Sequence, residues 1–168
     1  MHDFEQIVEK NQEMVFRTLA RLTGERAGLE DMAQEVFLRL FGALPHFRGE
    51  AQLTTFLYRI IVNVANDEFS ARQKARLTTP IQDREARWLA HSSASPAVLV
   101  ERMQMQEAVD AALRRLTPRD RTILTLHYQE GRGYEEIAAI LDLPMGTVKT
   151  HLHCARERLR NMMKEKAE

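Results

Sequence analysis

Near its C-terminus the chain reads GTVKTHLHCARERLR, residues 146–160, which gathers two histidines and the only cysteine within four positions. Imidazole and thiolate are zinc ligands, so His151, His153 and Cys154 raise the question of a metal site. Helical geometry argues against it. At roughly 100° per residue, His151 and His153 stand about 160° apart around a helix and cannot grip one ion together. Only His151 and Cys154, three residues apart, could share a metal, and two ligands leave a zinc site incomplete. The same spacing puts Val148, Leu152, Ala155 and Leu159 within about 60° of one another as a buried stripe. Thr150, His153, Cys154 and Glu157 then point outward near the start of a helix, with Lys149 and Arg160 on the flank and Arg156, Arg158 and Arg160 following as a basic run. Such a face suits base edges and phosphates better than a metal. No metal and no cofactor are expected.

Catalytic constellations are missing from the pattern. The six histidines fall at positions 2, 46, 91, 127, 151 and 153, with no HxxxH or ExxH spacing. No paired carboxylates or nucleophile–base pair have a recognisable arrangement, so the chain is not expected to be an enzyme.

A second cluster lies in GLEDMAQEVFLRLFGAL. Met32, Ala33, Val36, Phe37, Leu40, Phe41 and Leu44 cover one broad side of the implied helix. Asp31, Gln34, Glu35, Leu38 and Arg39 cover the other. A leucine ringed by acids and an amide is either surface noise or a protein-docking spot. In the segment that follows, LTTFLYRIIVNVANDEFSARQKAR, the residues Phe56, Leu57, Ile60, Ile61 and Val64 read as core. Asn63 sits one position past that stripe, where its amide could read a base. Arg72, Lys74 and Arg76 make a basic end, either a solvated charge run or a phosphate contact.

The elements that must position these residues are helical. Apolar residues make up 44% of the 168-residue chain, with seven glycines, five prolines and little β-branched alternation, which predicts an all-α protein. Periodicity runs from Phe4 to about Arg76, fades through Leu77–Ala97 and resumes from about Val98. This predicts two small helical domains, residues 1–76 and 98–168, joined by a flexible linker at 77–97 with few contacts crossing it. Trp88 in that linker either docks on a lobe or fills a partner's groove. Ser95-Pro96 and Thr117-Pro118-Arg119-Asp120 each read as a helix start. YEEIAAILDLPMGTVKTHLHCARERL has the layout of a helix-turn-helix, with Asp142 at a turn position that needs a left-handed backbone.

Net charge is zero, which excludes a protein that coats nucleic acid by charge alone. The charge is uneven: residues 1–36 hold eight acids against four bases, and residues 144–168 hold six bases against three acids. Different partners at the two ends are implied. A lone cysteine, an acidic amphipathic start and no apolar run of membrane length predict a cytoplasmic chain without membrane insertion.

Taken together, the blocks resemble a bacterial sigma factor of the extracytoplasmic-function group. EDMAQEVFLRLF is similar to the helix that docks on the β′ clamp helices of RNA polymerase. TTFLYRIIVNVANDEFSAR is similar to the segment that recognises and opens the −10 element. LTPRDRTILTLHYQEGRGYEEIAAILDLPMGTVKTHLHCARERL resembles region 4, whose last helix reads the −35 element. The resemblance implies an alternative sigma factor that brings RNA polymerase core to specific promoters and initiates transcription. By position it places Asp31, Gln34, Glu35 and Leu38 on polymerase. Asn63, with Arg72, Lys74 and Arg76, would face the −10 DNA. Thr147, Lys149, Thr150, His153, Arg156 and Arg158 would face the −35 DNA. It implies contact with the β flap and an anti-sigma partner as well. Three positions depart from the family: Phe56 where tryptophan is usual, and His151 and Cys154 where arginine is frequent. GTVKTHL is also similar to the output domains of response regulators, which would make the chain a stand-alone DNA binder. The docking helix around Gln34 and Glu35 speaks against that reading.

Overall fold

In a computed structural model, which describes residues 4–49, 52–76 and 96–165, every regular element is helical. The N-terminal lobe holds α1 (Phe4–Thr23), α2 (Leu29–Ala43) and α3 (Leu53–Arg76), with a short 3₁₀ turn at Leu44–His46. The C-terminal lobe holds α4 (Pro96–Arg115), α5 (Pro118–Leu124) continued by a π-helical turn (Thr125–Gln129), α6 (Tyr134–Leu141) and α7 (Met145–Glu165). Residues 77–95, including Trp88, lie outside the described residues.

Local chemistry sets the boundaries. Helix α5 opens where Thr117 accepts a hydrogen bond from the Asp120 amide at 3.2 Å, with proline at the first position, as the sequence predicts. Helix α6 ends at Asp142, whose φ of 53° is the left-handed conformation expected there. Helix α1 ends at Gly24, at φ 71°, where the aliphatic stem of Arg114 comes so near that an added Cβ would stand 3.0 Å from it. A side chain at Gly24 would be strained twice, by its backbone and by that contact.

The two lobes pack on each other, contrary to the expectation that few contacts would cross between them. The buried residues form one cluster that runs from Val15, Leu19 and Leu40 through Leu57 and Ile61 to Ile123, Leu126, Ile137 and Val148. Helix α3 is the shared wall: α1 and α2 lie on one side, α5 and α6 on the other. Tyr58 and Val62, off the stripe read from the sequence, are therefore buried too.

Two polar links tie the seam. The Arg121 guanidinium is buried and donates to the carbonyls of Leu113 (2.9 Å) and Arg114 (2.7 Å) at the end of α4. It also donates to Leu22 (3.1 Å) and Thr23 (3.4 Å) at the end of α1, and lies 5.2 Å from the Phe69 ring centroid on α3. Burial pulls its pKa down to about 10, which leaves it charged at neutral pH. The second link is Glu130, whose carboxylate is 1% exposed. It accepts from Arg21 at 2.7 Å, Arg17 at 3.3 Å and the Tyr58 hydroxyl at 2.9 Å. The burial of Tyr58 itself, and then the neighbouring Glu130 charge, push the tyrosine hydroxyl up to about 12.

Burial by itself would raise the Glu130 pKa, but the hydrogen bonds from Arg21, Tyr58 and Arg17 outweigh it and hold the carboxyl below its ordinary value. The unfolded chain then takes up this proton more readily than the folded one. The stabilisation is present in full above the ordinary carboxylate pKa of about 4.3 and is lost as pH falls through the lower folded value. Urea unfolding should find Glu130→Gln less stable than the parent at pH 7, with the gap closing below about pH 4. A gap that stays constant into acid would mean that the charge contributes nothing. Arg121→Met should cost about 2–4 kcal/mol in the same assay, since it strips four carbonyls of one buried donor.

Candidate nucleic-acid interface

Helix α7 is oriented by its apolar stripe. Val148, Leu152 and Ala155 are buried against the core and Leu159 is half-buried. That seal turns Lys149, Thr150, His153 and Arg156 outward, all of them exposed, with Thr147 half-buried beside them. The Thr150 hydroxyl donates to the Gly146 carbonyl at 3.0 Å, so its free lone pairs point to solvent. The Lys149 ammonium lies 5.9 Å from the Tyr134 ring centroid. That ring stacks on His127 at 5.2 Å, and the His127 Nδ1 is 3.0 Å from the Arg132 carbonyl oxygen. This aromatic shelf, which the sequence reading missed, carries the lysine over the first turn of the helix. The recurring aromatics at 127, 128 and 134 are the only signal that could have revealed it.

Around the opening motif, His151 and Cys154 are half-buried while His153 is exposed. Among the described residues no three His, Cys, Asp or Glu side chains come together as a metal site.

Not every base on α7 is available in the same way. Arg158 forms a short ion pair with Asp120 of α5, whose side chain is 3% exposed. Arg160 pairs with Glu157 at 2.6 Å. Arg158 thus holds α7 to α5 through a buried carboxylate, a role the sequence reading did not give it.

On α3 Leu57, Ile60, Ile61 and Val64 are buried, Phe56 is half-buried and Asn63 is exposed. Arg72 is drawn into pairs with Glu25 (2.7 Å) and Glu68 (2.6 Å) within the N-terminal lobe. Lys74 is exposed, and the side chain of Arg76 lies outside the described residues. Asn63 and Lys74 therefore share one helix, while Arg72 faces its own carboxylates.

Helix α2 carries the other surface. Met32, Ala33, Val36 and Leu40 are buried, and Asp31, Gln34 and Leu38 are exposed. Glu35 is half-buried and bonds Arg39 at 2.7 Å, and Arg39 reaches Asp67 of α3 at 2.8 Å. The sequence assigns Phe41 to the buried side, but it is 61% exposed, with its ring packed edge-on against Phe4 at 5.0 Å. Gln34, Leu38 and Phe41 consequently line up on one outward stripe at helical spacing.

Helices of this layout define a two-lobed DNA-binding protein whose last lobe is a helix-turn-helix. Residues 7–75 match the family description Sigma-70 region 2, and residues 106–159 match Sigma-70, region 4. The RNA polymerase sigma-H factor of Pseudomonas aeruginosa is 31% identical over 92% of this chain and 82% of its own length. The ECF RNA polymerase sigma-E factor of Escherichia coli is 33% identical over 78% of this chain and 71% of its own. The solved structure of the sigma factor RpoE in complex with the anti-sigma factor NepR from Bartonella quintana shares the fold. It has a TM-score of 0.76 at 20% identity, covering 98% of both chains. The chain belongs to the extracytoplasmic-function group of sigma factors, and so directs RNA polymerase to promoters as an alternative initiation factor.

Removal of the Arg158 side chain should leave Asp120 buried without its cation; because that guanidinium is 56% exposed, the loss should fall below the about 3–5 kcal/mol of a fully buried pair. Thermal unfolding of Arg158→Ala should show this without DNA present. An unaltered melting curve would return Arg158 to a purely DNA-facing role.

Proposed function

We propose that three outward faces divide the work. The α2 face of Asp31, Gln34, Glu35 and Leu38, extended by Phe41, docks on the β′ clamp helices of polymerase core. Asn63 on α3, with Lys74 and Arg76 along the same helix, faces the −10 element, and Arg72 acts there through the carboxylates it orders. Thr147, Lys149, Thr150, His153 and Arg156 on α7 face the −35 element, with Arg158 adding field from its ion pair. The C-terminal lobe meets the β flap. The observation that carries this reading is α7 itself: one side is sealed by Val148, Leu152 and Ala155, and the other offers an unbroken polar face. The relatives named as RNA polymerase sigma factors support it.

The protein acts in the cytoplasm, without catalysing a reaction itself. Among the described residues no helix is long and apolar enough to cross a membrane. An anti-sigma factor is a further partner, by analogy with RpoE, which was solved with NepR.

Transcription in vitro with purified core tests the assignment. Lys149→Ala should cost about 1–3 kcal/mol of promoter binding and relax selection at one −35 position. Gln34→Ala with Leu38→Glu should cut core affinity while circular dichroism keeps its helical signal. Start sites unchanged by the first variant, or core binding unchanged by the second, would remove the corresponding face from this reading.

A further inference from the structure

A cavity of about 430 Å³ opens where α1, the end of α4 and the π-helical turn meet, and it belongs to none of the three faces described above. Its volume falls in the range of about 300–1,000 Å³ that small-molecule sites occupy. Arg21 and Gly24 of α1, Arg114 of α4, Arg121 of α5, and Tyr128 and Gln129 of the turn line it.

Charge on this lining is unbalanced. Three guanidinium groups meet a single carboxylate, Asp110, whose Oδ1 accepts from the Gln106 amide at 3.0 Å. Arg21 is already engaged, since it donates to the buried Glu130 at 2.7 Å. Arg121 gives its hydrogen bonds to main-chain carbonyls, which leave its charge uncompensated. Glu25, the acid whose field reaches Arg121, is paired with Arg72 at 2.7 Å and stands outside the cavity. The Arg114 guanidinium is exposed and has neither a hydrogen bond nor an ion pair among the described residues. Its stem rests against Gly24, and its charge adds to burial in lowering the Arg121 pKa. Two cations thus stand close together, and neither has a carboxylate of its own.

Two further residues narrow the kind of anion that fits. Tyr128 is 56% exposed, with its ring held edge-on against His127 at 4.8 Å, which leaves ring surface free for a flat partner. Gln129 lines the cavity while its amide oxygen is buried without a hydrogen-bond partner, so no acceptor bond inside the protein fixes that amide. A free amide can turn a donor and an acceptor toward one base edge.

We propose that this cavity binds a nucleoside monophosphate, with its phosphate on Arg114 beside Arg121, its base edge on the Gln129 amide and its ring against Tyr128. The guanidinium fork matches phosphate oxygens two at a time, and the anion neutralises cations that the fold leaves unpaired. No lining residue belongs to the surfaces assigned to polymerase or DNA, so the nucleotide displaces neither partner. The lining draws on α1 and on α4 and α5, so occupancy stabilises the folded chain as a whole.

Titration calorimetry and thermal unfolding of the full chain test the site, with AMP, GMP, a ribose phosphate and inorganic phosphate as probes. AMP or GMP should bind with a Kd below about 1 mM. At about ten times that Kd the unfolding midpoint should rise by about 3–5 °C. Arg114→Gln keeps the stem against Gly24 and should weaken nucleotide binding at least about tenfold. Tyr128→Ala should weaken it at least about fivefold and leave phosphate binding alone. Both variants should bind polymerase core as the parent does, and Tyr128→Ala, at an exposed position, keeps the test alive if Arg114→Gln fails to fold. No saturable binding of either nucleotide up to about 5 mM overturns the site, as does equal binding by the parent and both variants. A ribose phosphate or inorganic phosphate that binds as tightly as AMP and GMP overturns the nucleotide assignment.

Discussion

A single buried guanidinium orients most of this molecule. Arg121 sits where the C-terminal ends of α1 and α4 converge, and it meets both with main-chain carbonyls as acceptors. Those carbonyls lie in the last turns of their helices and carry the negative end of each helix dipole. One cation satisfies both ends and so sets the position of α4 against α1. The planar fork suits this arrangement as a lysine would not, because several fixed N–H directions are used at once. Phe69 supports the group from α3, so three helices from two lobes share one charge.

From that junction outward, packing decides which residues remain available. Helix α3 is buried on two sides, by its own lobe and by α6, which leaves the narrow strip of Asn63 and its neighbours in solvent. Helix α7 is buried on one side only, and the whole opposite face stays open. Helix α2 lies at the rim of the assembly, so a leucine and a phenylalanine remain exposed together. What a surface can offer a partner thus follows from how many neighbours its helix has.

Much of this was legible in the chain. Helical periodicity located α2 and α3, and the caps at Thr117 and Asp142 located the turns, because these signals act over four residues or fewer. The sealed stripe of α7 was readable for the same reason. What could not be read depends on partners far away in sequence. Glu130 lies 113 positions from Arg17 and 72 from Tyr58, and nothing local marks it as buried. Nothing local marks Arg121 as buried either, and Arg158 reads as a DNA contact until its acceptor is known. Phe41 fits an apolar stripe by spacing, but spacing does not say how much of that stripe the neighbouring helices cover.

The pairing of Arg158 with Asp120 and of Arg160 with Glu157 has a consequence for the thermodynamics of DNA association. A base strengthens attachment to DNA largely by displacing cations condensed on the phosphates, and the entropy of their release makes affinity fall with added salt. A guanidinium already neutralised by a carboxylate on its own protein displaces few of them. The C-terminal helix therefore presents fewer effective charges than its five lysines and arginines suggest, mainly Lys149 and Arg156 on the outward face. Its hold on DNA should respond only gently to ionic strength, which leaves hydrogen bonding to base edges as the larger share of whatever selectivity it has.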